Sequence, residues 1–426
     1  MPHETPLIAT IAIGLGLAFL LGVVAQKFRM PLIAGYLVAG VIIGPFTPGY
    51  VAHLEIAAEL AEIGVILLMF GIGLHFSLRD LMAVKNIAIP GALGQIGVTA
   101  LFGALLGWGL GWGLGAGLIF GLSLSVASTV VLLRALQDRE LVTAERGRIA
   151  VGWLIVEDIL MVIALVMIPP LAGVLGGETQ PLDPEAAKVT EIGFSPIAAT
   201  LLLTAAKITA FVALMLIVGR RLIPFALEYV ANTGSRELFR LAVLAIAMGV
   251  AFGSTQLFGV SFALGAFFAG MVMAGSTLAA QAMRDTLPLR DAFAVLFFVS
   301  VGMLFNPAVV LTEPRALIAT VLIIVGVKSL AAFAIVRAFG HSDAVALTIA
   351  ASLAQIGEFS FILIVMAVQL DVVPEVARDL VVAGAMISIL LNPVLFQLLD
   401  RWSARHAPAA APPADAPETA ANPTNP

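Results

Sequence analysis

Residues 149–168 read Ile-Ala-Val-Gly-Trp-Leu-Ile-Val-Glu-Asp-Ile-Leu-Met-Val-Ile-Ala-Leu-Val-Met-Ile. The run is as long as the roughly 20 apolar residues that a helix needs to cross a bilayer. Two adjacent carboxylates, Glu157 and Asp158, stand near its middle. Asp158 lies ten residues beyond Arg148. At about 1.5 Å per residue that is about 15 Å deep, near the midplane of a ~30 Å hydrocarbon core. A charge there costs at least ~2.5 kcal/mol on insertion scales, so it must be paired, hydrated or functional.

The rest of the chain has the same character. Of its 426 residues 61% are hydrophobic and 12% are charged, with a mean hydropathy of +1.07. Soluble domains carry about 25% charged residues, so the composition is that of a polytopic membrane protein. A net charge of −5 argues against nucleic acid as a partner. The absence of cysteine excludes disulfides, thiolate metal sites and cysteine nucleophiles. Residues 1–6 hold no Lys or Arg, so they lack the basic region of a signal peptide.

Thirteen apolar segments are expected, near 7–26, 30–45, 54–76, 86–111, 113–135, 148–175, 196–219, 236–256, 258–278, 292–312, 314–337, 342–369 and 376–400. The basic residues test this expectation. Seventeen of the 22 fall in loops after odd-numbered segments or in the tail, three fall in loops after even ones, and two, Lys207 and Lys328, lie inside segments. This asymmetry predicts the N-terminus outside and the C-terminus in the cytoplasm. A Pro-rich, acidic loop over 176–193 divides the chain near its middle. Segments 2–6 and 9–13 would then run in opposite directions, which permits the inverted repeats common in secondary transporters. Residues 1–400 are expected to form the membrane domain, and 401–426 an Ala/Pro-rich cytoplasmic tail too poor in apolar residues to fold.

Two further charges join Asp158 near the midplane. Lys328 lies 13 residues after Arg315 and nine before Arg337, and Glu358 lies 15 after Asp343 and 13 before Asp371. Lys328 is the natural counter-charge to Asp158, either as a permanent salt bridge or as a group that an incoming cation displaces. Ser128 and Thr129 could add oxygen ligands from a broken helix, although hydroxyls of this kind also serve simple helix packing. Gln355 and Gly357 flank a second expected break, at which Glu358 would compensate the end of a half-helix. Lys207 has no evident role. The glycine-rich stretch 107–117 mimics dinucleotide-binding spacing, but no strand precedes it, so a tight outer turn with Trp108 and Trp112 at the interface is expected.

Several stretches carry a family resemblance. They are Gly71-Ile-Gly-Leu-His-Phe-Ser-Leu78, Ala127-Ser-Thr-Val-Val-Leu-Leu-Arg134, Gly152-Trp-Leu-Ile-Val-Glu-Asp158, Ala263-Leu-Gly-Ala-Phe-Phe-Ala-Gly270, Leu296-Phe-Phe-Val-Ser-Val-Gly-Met303 and Gly357-Glu-Phe-Ser-Phe361. Over residues 7–400 the chain resembles the Kef-type members of the cation:proton antiporter-2 family, nearest to their YbaL-type branch. The resemblance implies an all-α membrane fold of inverted repeats with two crossed, discontinuous helices, at Ser128–Thr129 and at Gly357–Glu358. It implies a core moving against a panel through which two copies form a homodimer in a bacterial inner membrane. It assigns the ion-carrying carboxylate to Asp158, as a ligand for a monovalent cation only, and the buried lysine to Lys328. The residue preceding the family's aspartate is often Gln, Asn or Asp, whereas here it is Glu157. Kef-type proteins usually continue into a nucleotide-binding regulatory domain, and none follows Arg405 in this sequence.

The expected function is secondary active exchange of a monovalent cation, potassium before sodium, for protons, with no cofactor. The alternative is sodium-coupled symport of an organic solute, which would need a second polar pocket. A membrane enzyme is disfavoured because the sequence offers no nucleophile–base pair or metal motif.

Overall fold

The computed structural model describes residues 6–28, 30–75, 78–142, 144–177, 190 and 196–406. All regular structure among them is helical. The first group comprises α1 (Pro6–Lys27), α2 (Leu32–Ile43) and α3 (Leu54–His75). Next come α4 (Leu78–Gly109), α5 (Leu114–Leu124), α6 (Thr129–Gln137) and α7 (Glu145–Leu171). The second half begins with α8 (Pro196–Leu214), which runs through a π-helical turn, Met215–Gly219, into α9 (Arg220–Ala231). It continues with α10 (Arg236–Phe258), α11 (Phe262–Ala274), α12 (Ala279–Met303) and the short α13 (Val309–Thr312). Then α14 (Pro314–Val321), a second π stretch (Leu322–Val327) and α15 (Lys328–Ala338) form one span. Last are α16 (Asp343–Leu353), α17 (Glu358–Gln369) and α18 (Glu375–His406).

Ten helices are long and apolar enough to cross a membrane, and the bent pair α16–α17 makes an eleventh. The other two apolar segments of the sequence fold as α2 and α11, of 12 and 13 residues. At 1.5 Å per residue each covers only about 18–20 Å, short of a full span. Among the described residues the expected thirteen apolar segments thus divide into eleven of full length and two shorter ones. The tail also starts later than expected. Helix α18 runs through Arg401 to His406, and residues 407–426 lie outside the described residues, as does most of the 176–193 loop.

The helices pack in two groups. Helices α1–α3 pack with α10–α12, and α4–α7 pack with α15–α18. In the first group, backbones touch through glycines. A Cβ on Gly73 would strike the Phe267 carbonyl, and one on Gly270 would strike the carbonyl of Phe70. Where lipid tails are as apolar as leucine, such close van der Waals contact replaces the hydrophobic drive for helix association. In the second group, Trp153 is fully buried and its ring lies against Gly91 of α4. Two helices in this group are broken. Four residues, 125–128, separate α5 from α6, and four, 354–357, separate α16 from α17. These are the two discontinuities expected from the sequence.

The glycine contacts predict a clear contrast. Gly270→Val should cost about 1–3 kcal/mol, because backbone rather than a movable side chain blocks its Cβ. Gly97→Ala, which meets nothing within 4 Å, should be neutral or slightly stabilising. Thermal unfolding of both variants in detergent checks this.

Candidate ion-binding site

A helix that stops inside hydrocarbon leaves backbone N–H and C=O groups without partners, and they must be satisfied by protein. Here the side chain of one break serves the backbone of the other. The Ser128 amide donates to Gln355 Oε1 at 2.9 Å, and the Ser128 carbonyl accepts from Gln355 Nε2 at 3.3 Å. Gln355 Nε2 also donates to Ser352 O at 3.3 Å. Gly357 makes the crossing possible. A Cβ there would collide with Ser128 Cα and lie 2.7 Å from its Cβ and 2.8 Å from its nitrogen.

The site residues converge on this crossing. Glu157 is fully buried and its Oε2 accepts from the Ala127 amide at 2.9 Å. Lys328, also fully buried, donates from Nζ to the Gln355 carbonyl at 2.9 Å. It stands where the π stretch returns to α-helix, a local widening that often accompanies functional positions. Asp158 is 5% exposed, and Oδ2 has one long contact, 3.5 Å, from the Thr129 hydroxyl. Ser128 Oγ caps α6 by accepting from the Val131 amide at 3.3 Å.

This arrangement differs from the sequence expectation in three ways. First, the carboxylate whose charge Lys328 meets is Glu157. The charges bearing on Asp158 are those of Glu358 and then Glu157, both negative. Sequence spacing gives depth but not rotation, so it could not tell which of two adjacent carboxylates faces the lysine. Second, Glu358 is more than a support for the crossing, since it heads α17 beside Ser128 and faces Asp158. Third, of the two candidate hydroxyls, Ser128 is engaged in capping α6, which leaves Thr129 nearest Asp158.

The chemistry follows from what remains unpaired. Among the described residues, Glu157 Oε1, Asp158 Oδ1 and Glu358 Oε2 are buried oxygens without a hydrogen-bond partner. Lys328 meets the charge of one of the three carboxylates, Glu157, and Arg290 bears on Glu358, so an ionised Asp158 has no positive partner among these groups. Buried charge of that kind demands compensation, and a proton or a desolvated monovalent cation supplies one positive charge. Glu157 is tied to a backbone amide and to the lysine charge, whereas Asp158 has a single long hydroxyl contact among the described residues. No group of three or more His, Cys, Asp or Glu is arranged to hold a metal ion among the described residues. Sequence reasoning missed Gln95, Trp153 and Asn392, buried polar side chains around the breaks whose only signal was a polar group inside an apolar segment.

Comparison with known proteins fits this geometry. Residues 15–399 match the model of the family described as sodium/hydrogen exchanger, transmembrane. The putative cation/proton antiporter YbaL of Escherichia coli (strain K12) is 58% identical over 405 residues, 95% of this chain and 70% of that one. K(+) efflux antiporter 4 of Arabidopsis thaliana is 32% identical over 371 residues, 87% of this chain and 60% of that one. Among solved structures, the sodium proton antiporter MjNhaP1 from Methanocaldococcus jannaschii has the same fold. Its TM-score is 0.67 at 19% identity, over 93% of this chain and 98% of that one.

The crossing predicts that Gly357→Ala will be among the most damaging single-methyl additions in the chain. Backbone blocks the new Cβ, so the helices must separate, at the upper end of the ~1–3 kcal/mol range for overpacking. Cation-dependent proton flux per folded molecule should fall at least tenfold, read in liposomes alongside thermal unfolding.

Proposed function

The chain belongs to the sodium/hydrogen exchanger family, and we propose that it exchanges a monovalent cation, potassium before sodium, for protons by alternating access at Asp158. The observation that carries this reading is the buried Asp158 carboxylate, with one oxygen unpartnered beside the crossing of two broken helices. A proton and a cation compete for the same oxygen. Neither leaves without the other arriving, because the bare anion would stand in a low-dielectric site facing two more carboxylates. Obligatory exchange follows from that electrostatic penalty. Thr129 supplies a hydroxyl oxygen to the bound cation, and Lys328 with Glu157 forms a fixed charge pair at the crossing. Potassium is favoured because sequence relatives at 30–32% identity are K(+) efflux antiporters. No observation favours sodium–solute symport.

The same reading sets the chain in a bacterial inner membrane with its N-terminus outside and its C-terminus in the cytoplasm. Contacts between distant segments support the grouping of loops into two sides, and the basic-residue asymmetry supports which side is cytoplasmic. Arg139–Asp400, Arg240–Asp285 and Glu145–His341 each join residues that the charge rule places on the cytoplasmic side, and Asn306–Asp379 joins two on the outer side. We further assign homodimerisation to the α1–α3 and α10–α12 group, and a moving core to the group that holds the crossing.

The direct test uses liposomes with an imposed pH gradient and an internal pH dye. Potassium, added outside, should dissipate the gradient, sodium less so and choline not at all, and Asp158→Asn should abolish the response. If sodium is as effective as potassium, the ion preference fails. If no alkali cation acts on folded protein, the antiport reading fails.

Orientation has its own measurement, helped by the lack of native cysteine. In intact cells, Leu311→Cys, 85% exposed at the outer side, should react with a membrane-impermeant maleimide. Thr233→Cys, at the cytoplasmic side, should react only after the membrane is opened.

A further inference from the structure

Two buried side-chain amides sit at the ends of the broken helices. Gln95 on α4 is fully buried. Its Nε2 donates to the Ser125 carbonyl at 3.0 Å and to Thr99 Oγ1 at 3.2 Å, and its Oε1 accepts from Trp153 Nε1 at 3.4 Å. Asn392 on α18 is 2% exposed and donates from Nδ2 to the Ala351 carbonyl at 2.8 Å. Both acceptors lost their helical partners to a break. Residue 129, which would have served Ser125, opens a new helix. The Gln355 amide, which would have served Ala351, turns instead to Leu353 O at 2.8 Å. Without Gln95 the Ser125 carbonyl would be unsatisfied at membrane depth, and without Asn392 the Ala351 carbonyl would keep only a long 3.4 Å bond from the Ala354 amide.

The pattern is regular. The segment preceding each break supplies a donor to a freed carbonyl: Gln95 to Ser125 O at 3.0 Å, and Lys328 to Gln355 O at 2.9 Å. The segment following each break supplies a second anchor: Glu157 for the Ala127 amide at 2.9 Å, and Asn392 for Ala351 O at 2.8 Å. Each break is thus held from both sides by one charged and one neutral group. The charged pair, Lys328 and Glu157, are the two groups that feel each other's charge. The neutral pair does the same backbone work without adding charge beside Asp158.

We propose that Gln95 and Asn392 are positioning residues of the exchange site, which hold the Ser125 and Ala351 carbonyls away from the transported cation and fix the backbone from which Thr129 reaches Asp158. This deepens the antiport reading and rests on it. A carbonyl oxygen at the end of a half-helix is itself a good ligand for a dehydrated cation. Occupying these two with amide donors leaves Asp158 and Thr129 to define the shell. Trp153, held by Gln95, lies one helical turn before Glu157, so the same amide also steadies the carboxylate pair.

The test compares Gln95→Met and Asn392→Leu, both close in size and lacking the donor, with Thr99→Val, which removes one partner of Gln95 but leaves the clamp on Ser125. Each is assayed in liposomes for KM and maximal rate with potassium and sodium, and in detergent for backbone amide exchange by mass spectrometry. Gln95→Met should raise the cation KM about tenfold, the scale of one buried hydrogen bond, and narrow the potassium-to-sodium ratio. It should deprotect residues 125–132 and leave 351–358 unchanged. Asn392→Leu should do the reverse in protection with a similar rise in KM, and Thr99→Val should stay within twofold of the parent in both readouts. Unchanged KM and protection in folded variants would overturn the proposal, as would a lowered yield with parental kinetics, which marks a purely structural role. If Gln95→Met does not fold, Gln95→Glu keeps the length and the oxygen facing Trp153 and carries the same comparison. A parent protein that moves no alkali cation would sink the antiport reading instead, a distinct outcome because the parent itself is then silent while amide exchange still reads both breaks.

Discussion

Everything at the site hangs on a reciprocal pair of hydrogen bonds between Ser128 and Gln355, which are 227 residues apart in sequence. Two helices cannot simply stop inside hydrocarbon, because each end exposes polar backbone that water is not there to satisfy. Bringing the two ends together lets the Gln355 side chain meet the Ser128 backbone, while Lys328 meets the Gln355 carbonyl. Gly357 then has to lack a side chain, since the backbones pass too closely for a Cβ. The crossing therefore fixes which residues can face Asp158, and the spans around it act largely to deliver groups to that point.

The electrostatics follow the helix ends. Helices α6 and α17 begin at the crossing, and their N-termini carry partial positive charge. Asp158 and Glu358 sit there. Helix α16 ends at the crossing, where partial negative charge on freed carbonyls attracts a cation, and Lys328 donates to the Gln355 carbonyl. Glu157 bridges both descriptions, since it binds the Ala127 amide and faces the lysine. The fixed charges are thus those with backbone partners. On the proposed reading Asp158, whose one hydrogen bond among the described residues is a 3.5 Å hydroxyl contact, is the charge whose compensation changes.

Much of this was legible from the sequence, and the reasons are physical. Depth was readable because apolar length is a ruler, so Asp158, Lys328 and Glu358 were correctly found in the interior. The breaks were readable because Gly357 beside Glu358 and the hydroxyl cluster before Thr129 are poor helix interior in lipid. Pairing was not readable. Adjacent residues on a helix point about 100° apart, and only tertiary packing decides that Glu157 turns to Lys328 and Asp158 to Glu358. The shorter length of α2 and α11 was hidden for a related reason, since a 12-residue helix is as apolar as a spanning one. Gln95 and Asn392 left the faintest trace, because a neutral amide in an apolar run looks the same whether it packs idly or caps a carbonyl.

The division between fixed and variable charge also bears on why the site has three carboxylates instead of one. A lone aspartate opposite a lysine would form a stable pair, and an arriving cation would have to break it. Here Glu157 already stands before Lys328, so Asp158 need not be its partner. Glu358 then adds a repulsive neighbour that makes an uncompensated Asp158 costly. On the proposed reading, one carboxylate is held by the lysine, another raises the penalty of leaving the site empty, and the carboxylate between them exchanges a proton for a metal cation. A site that tolerated either occupant but not vacancy would couple the two fluxes without any further moving part at the binding centre.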